Sequence, residues 1–143
     1  MNNNFQYKSS YESLKEDLRN KIVLLDGAMG TMLQMENLTS EDFGGENYEG
    51  CNDYLVMTRP NIIKNIHKKY LKSGSDIIET NTFGALDIVL KDYDLEDKTF
   101  ELNKNAAIIA NDAIKEYRKE NPNDKRNLYI AGALGPSNKS ISV

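Results

Sequence analysis

Cysteine, histidine and tryptophan are nearly missing: the 143 residues hold one cysteine, one histidine and no tryptophan. A single cysteine excludes an internal disulfide framework. With only one histidine beside it, a four-ligand zinc site cannot be built here without Asp or Glu. No apolar run approaches the roughly 20 residues that span a bilayer, so no transmembrane helix and no membrane partner are expected. The segment Met1–Ser10 is polar and Asn-rich. It lacks the apolar stretch and small-residue cleavage site of a secretory signal, so a cytoplasmic location is expected. A basic surplus is missing too. Eighteen Lys and Arg stand against 22 Asp and Glu, a net charge of −4, without the footprint of a nucleic-acid binder.

What remains is a soluble globular composition with a clear order of elements. Ser9 and Glu12 fit a capping box, and Tyr11, Leu14 and Leu18 follow at helical spacing. Ile22-Val23-Leu24-Leu25 is a short apolar run ending at Asp26-Gly27, the pattern of a strand buried on both faces. Thr31 to Met35 fits a helical turn, and Ser40 to Gly50 reads as a long polar loop. Loops of that length usually serve a site. Thr58 and Pro60 then open a helix whose apolar face is Ile62, Ile63, Ile66, Tyr70 and Leu71, and Gly74 stops it. Asp76 to Thr80 is a second strand. Phe83 to Tyr93 holds a short helix. Asp97 to Glu120 is the longest helix, with Phe100, Leu102, Ala106, Ile109, Ala113 and Tyr117 at helical spacing. Leu128 to Ala131 is a third strand.

Strands separated by amphipathic helices predict βαβ crossovers and a parallel sheet, hence an α/β fold. Yet the strands start farther apart than the roughly 30 residues a βα unit needs. Three strands are few for this length, which suggests a chain that stops part-way through its sheet.

Binding residues of parallel α/β folds sit at the carboxyl ends of strands. Three segments hold that position: Asp26 to Thr31, Glu79 to Gly84, and Gly132 to Asn138. In the first, a carboxylate adjoins a small-residue turn. Asp26 can hold a cation, while backbone N–H groups freed by the glycines can face an anion, a pairing that suits a zwitterionic amino acid. The plainer alternative is that Asp26 only caps the turn. In the second, Glu79, Thr80, Asn81 and Thr82 are more polar groups than a turn needs. They fit either a ligand or a bracing network. Phe83 fits a packing residue as well as a pocket wall. Cys51 reads as an ordinary small residue, and His67 as a partly exposed residue at the edge of a helix's apolar stripe. The dinucleotide fingerprint, the P-loop lysine and the serine nucleophile elbow are all absent, which disfavours a small nucleotide-binding protein.

The stretches LLDGAMGTMLQ (Leu24 to Gln34), GCNDYLVMTRP (Gly50 to Pro60), DIIETNTFGA (Asp76 to Ala85) and GALGPSNKSIS (Gly132 to Ser142) resemble, in order, the homocysteine-binding start of the cobalamin-dependent methionine synthases. The related betaine-dependent and other homocysteine methyltransferases share the first and third. The resemblance implies a (β/α)8 TIM barrel, here incomplete, with residues 1–143 as the N-terminal part of the homocysteine-binding domain, cut after the third strand. It implies transfer of a methyl group from methylcobalamin, itself remethylated by methyltetrahydrofolate, to the sulfur of homocysteine, giving methionine. A thiolate-bound zinc ion would activate that sulfur. Asp26, Gly27 and Ala28, with Thr80, Asn81, Thr82 and Phe83, would surround the amino-acid end of homocysteine. The family's zinc cysteines come late in the barrel, and Cys51 does not match them. Zinc and cobalamin are therefore not expected to bind this chain alone, which is expected to be inactive without the rest of the barrel and the folate- and cobalamin-binding modules. The competing expectation is a non-catalytic α/β module that binds an amino acid or a partner chain.

Overall fold

The structure, a computed structural model, describes residues 4–137, with side chains from residue 10 onward. The end of the GPSNKSIS stretch, from Asn138, lies outside the described residues.

Helix α1 spans Asn4–Asn20. It already runs through Ser9, so Ser9 is not its cap; the capping-box reading placed the start too late. Lys21 to Gly27 follows as extended chain. Helix α2 (Met29–Gln34) comes next, and the long loop after it holds a 3-10 turn at Glu46–Tyr48. Helix α3 (Leu55–Thr58) leads directly into α4 (Pro60–Ser73). Pro60 takes the first turn as expected. Thr58 does not cap it: Arg59 occupies that position, and the Thr58 hydroxyl is buried without a partner. Gly74 ends α4 at φ 112°, the left-handed conformation that favours glycine. Strand β1 (Ile77–Glu79), helices α5 (Asp87–Leu90) and α6 (Thr99–Glu120), and strand β2 (Tyr129–Ala131) complete the described order.

β1 and β2 form a parallel sheet, with Ile78 opposite Ile130. The expected first strand is reduced to a single parallel bridge between Leu25 and Ile77. Two facts explain the reduction. The Asp76 carboxylate takes the Leu24 N–H at 3.0 Å, a role a ladder partner would otherwise fill. The apolar run also lacks cover. Ile22 is 85% exposed, and Leu24 and Leu25 are about half exposed, so the expectation of burial on both faces fails. The lateral order is nonetheless Leu25 segment, β1, β2, the order along the chain.

The core lies between the helices and one face of the sheet. α4 packs along α6. From α4 come Ile63, Ile66 and Leu71; from α6 come Leu102, Ala106, Ile109, Ala110, Ala113 and Tyr117, all buried. Alanines at three of these positions let the two helices approach closely. Phe100 is the exception to the predicted stripe: it is 79% exposed, because it stands in the first turn, off the arc that Leu102 and Ala106 share. Ile78 points into this layer with Leu71, Ala110 and Tyr117. At the start of β2, α1 is fastened to the sheet. The Tyr129 hydroxyl donates to Asp17 at 2.8 Å and lies 3.0 Å from the Ser13 hydroxyl.

His67 departs most from expectation. It is completely buried, and neither ring nitrogen has a hydrogen-bond partner. Burial pushes its pKa down to about 4, because the charged form cannot be solvated there. The unfolded chain therefore takes up a proton below about pH 6.5 while the folded chain does not until about 4. Folding stability falls as pH drops through that window, by about 3 kcal/mol from this group. In His67→Leu that contribution is absent. Urea titrations of both proteins at pH 7 and pH 4.5 check it: wild type should lose more stability on acidification than the variant. Leu102→Ala should cost about 2–5 kcal/mol in the same assay.

Candidate functional site

A cleft of about 580 Å³ opens at the carboxyl ends of the Leu25 segment, β1 and β2. The first wall is Asp26, Gly27, Ala28, Met29 and Gly30. Glu79, Thr80, Asn81, Phe83 and Gly84 follow β1. Gly50, Asn52 and Asp53 come from the long loop, and Ala133 from the segment after β2. Of the seven residues singled out in the sequence, Asp26, Gly27, Ala28, Thr80, Asn81 and Phe83 are thus brought to one cavity. Thr82 is not: it is buried beneath it.

Thr82 works from below. Its hydroxyl donates to the Ala133 carbonyl at 2.8 Å and lies 2.7 Å from the Thr80 hydroxyl. The Thr80 hydroxyl in turn accepts the Ala133 N–H at 3.1 Å. The Gly135 N–H reaches the Phe83 carbonyl at 2.9 Å. Two threonines therefore bolt the loop after β1 to the loop after β2. Phe83, 64% exposed, is left as an open wall rather than a core residue.

The Gly50-Cys51-Asn52-Asp53 stretch fastens the opposite rim. Asn81 donates from Nδ2 to the Asn52 carbonyl at 2.7 Å. The Gly84 N–H donates to Asp53 Oδ1 at 3.0 Å. A Cβ at Gly84 would lie 2.8 Å from Asp53 Oδ2, so any side chain there would push the carboxylate aside. Glu79 belongs to the polar strand-end segment that the sequence pointed to, whereas Asp53 was not singled out. The length of the Ser40 to Gly50 loop pointed to a site, but no pattern named the carboxylate just beyond it.

Asp26 is held on one side only. Its Oδ2 accepts the Glu79 N–H at 3.0 Å, and its own N–H bonds the Ile77 carbonyl at 2.9 Å. Its Oδ1 is buried with no partner. Desolvation, with a smaller push from the nearby Glu79 charge, raises its pKa to about 6. Burial also raises the pKa of Asp53. Three carboxylates, Asp26, Asp53 and Glu79, line the cleft, and among the described residues no lysine or arginine does. Such a lining favours a ligand with a positive group. Neither Gly27 nor Gly30 adopts a positive φ, so the anion cradle expected from the glycines is not formed by left-handed backbone.

Among the described residues, no group of three or more His, Cys, Asp or Glu comes together in a way that could hold a metal ion. Cys51 packs in the core with Phe43 and Leu55, and burial pushes its thiol up to about 11, far from a ready thiolate. His67 is likewise buried away from the cleft. The residues present do not fit a zinc centre. Among the described residues, no helix is long and apolar enough to cross a membrane.

The family model for homocysteine S-methyltransferase matches residues 23–143. Two solved structures are similar to this chain, both of the homocysteine methyltransferase MmuM from Escherichia coli. The metallated form superposes with a TM-score of 0.71 at 26% identity, over 86% of this chain and 41% of that one. The oxidized form gives 0.69 at 26% identity, over 83% and 39%. The chain thus spans about two fifths of the length of the structures it matches.

Two measurements check the site's construction. The Asp26 carboxyl, followed by carbon-detected NMR, should titrate with a midpoint near the value of about 6, well above an ordinary aspartate. Thr82→Val, which keeps the shape and removes the hydroxyl, should cost about 1–3 kcal/mol in urea unfolding by stripping the Ala133 carbonyl of its donor.

Proposed function

Because the chain belongs to the homocysteine S-methyltransferase family, we propose that its cleft receives the amino-acid end of homocysteine for methyl transfer to the sulfur. The supporting observation is the Asp26 carboxylate, half-satisfied, with one oxygen lacking a protein partner, at a cleft whose described charged residues are all acidic. A ligand ammonium supplies what that oxygen lacks. It also offsets the desolvation that holds the Asp26 proton, so binding the ammonium favours the ionised carboxylate. The Thr80 and Asn81 loop and the Gly27-Ala28 turn supply the polar groups around the rest of the amino acid. Phe83 offers an apolar wall to its side chain.

The finer reading is a cobalamin-dependent methionine synthase. It is supported by the GCND stretch, whose Asn52 and Asp53 both fasten the cleft loop. In such an enzyme methylcobalamin supplies the methyl group and methyltetrahydrofolate restores it. This chain's part is to bind and orient the acceptor. A thiolate-held zinc ion would require cysteines beyond the single one here, so by itself the chain transfers no methyl group. The parallel, chain-ordered sheet fits the opening strands of a (β/α)8 barrel. Further βα units would cover the exposed Ile22, Leu24, Leu25 and Leu134, and an uncovered edge of this kind favours association.

Binding to this chain tests the reading. L-homocysteine should move the amide resonances of residues 26–30 and 79–84. 4-Mercaptobutanoate, which lacks only the amine, should bind about tenfold or more weakly, as should homocysteine to Asp26→Asn, the usual scale for losing a charged hydrogen bond. Affinity should rise with pH through about 6 as Asp26 ionises. Equal binding of the two thiols, or no response to either, would sink it.

A further inference from the structure

The turn that carries Asp26 is held only lightly by its own neighbours: the Ala28 carbonyl accepts the Met32 N–H at a long 3.4 Å. Neither Gly27 nor Ala28 is part of a strand or helix, and Gly30 has open space where a side chain would be. One contact reaches in from outside. Tyr70, in the last turns of α4, donates its hydroxyl to the Ala28 carbonyl at 3.1 Å. The same ring covers Gly27: a Cβ built there would lie 3.1 Å from the Tyr70 oxygen and 3.2 Å from its Cε1. The glycine is therefore the space the phenol occupies. The turn is flanked on one side by β1, through the Glu79 N–H on Asp26, and on the other by this ring.

We infer that Tyr70 is a positioning residue for the cleft: its hydroxyl and ring pin the Asp26-Gly27-Ala28 turn against α4 so that the free oxygen of Asp26 stays buried at the ligand site. The other bond to the Ala28 carbonyl is the Met32 N–H, long at 3.4 Å, so the Tyr70 hydroxyl is its shorter contact. The Asp26 carboxylate meets the Glu79 N–H and feels the Glu79 charge. Tyr70 meets the turn on its other side, and burial followed by the Asp26 charge keeps its phenol protonated, hence a donor at neutral pH. A tyrosine placed only to fill the core would serve equally well as phenylalanine; one that positions the turn would not. The importance for the ligand rests on the cleft taking an amino acid, whereas the positioning itself does not.

Tyr70→Phe separates these roles. The ring remains, the Ala28 carbonyl loses its shorter donor and keeps only the long Met32 N–H contact, and the turn is freer to swing toward solvent. The Asp26 midpoint should then fall from about 6 toward the ordinary value of about 4, with the thermal midpoint little changed. Homocysteine affinity should drop by roughly fivefold to tenfold, the scale of one hydrogen bond. Gly27→Ala approaches the same contact from the other side. By crowding the ring it should lower the Asp26 midpoint too, with Tyr70 intact. An Asp26 midpoint unchanged in Tyr70→Phe overturns the inference. So does a Tyr70→Phe chain that fails to fold, since the hydroxyl would then be a determinant of the fold rather than of the turn. If neither protein binds homocysteine while the Asp26 midpoint still falls, the ligand reading fails and the positioning role stands.

Discussion

The two hydroxyls of Thr80 and Thr82, 2.7 Å apart beneath the cleft, tie the loop after β1 to the loop after β2. A parallel sheet places all its carboxyl ends on one edge, so the loops leaving them converge whether or not they bond. Convergence alone would leave three flexible segments around a polar hole. The threonine pair converts it into a floor, by saturating both backbone groups of Ala133 with side chains from the loop after β1. Every other feature of the cleft is referred to that floor. Asn81 hangs the Asn52 loop from it, Gly84 receives Asp53 beside it, and Glu79 hands its N–H to Asp26 from the last residue of β1.

This arrangement explains why the cleft gathers carboxylates without forming, among the described residues, a cluster that could hold a metal ion. Two of the three carboxylates are committed on one side to a backbone N–H: Asp26 to Glu79, Asp53 to Gly84. Backbone donors fix the carboxylates in separate places along the rim instead of letting them converge on one point. The remaining oxygen of Asp26 is then desolvated but unpaired, an unfavourable state that a bound cation relieves. The cost falls on the unliganded protein, and on the proposed reading a positively charged group would offset it.

Much of the fold was legible because helix signals are local. The α4 boundary at Gly74 and the α6 stripe from Leu102 to Tyr117 follow from spacing and from the left-handed preference of glycine. The first strand was misjudged for the converse reason. Ile22 to Leu25 carries the apolar pattern of a buried strand, but pattern records what a segment is suited to, whereas burial depends on what is packed against it. His67 was misread because a helical wheel places it at the stripe's edge, while α4 is buried deeply enough to take that edge inside. Around the cleft, the residues at strand ends were recoverable from the rule that a parallel sheet gathers its loops at its carboxyl edge. Asp53 and Tyr70 were not, since each reaches the cleft through a contact far away in sequence, and Thr82 was placed in the right loop but on the wrong side of it.

The residues at the three paired positions, Leu25, Ile77 and Tyr129, stand at equal intervals along the chain, and their lateral order is their order of synthesis. Each extended segment therefore meets a neighbour that has already emerged from the ribosome. Closing each pairing requires bridging one connection of constant length, and the entropy of closure changes little with modest changes in that length. No step waits for a distant part of the chain to return. The sheet is built by repeating one operation, with a binding edge that widens each time the operation is carried out.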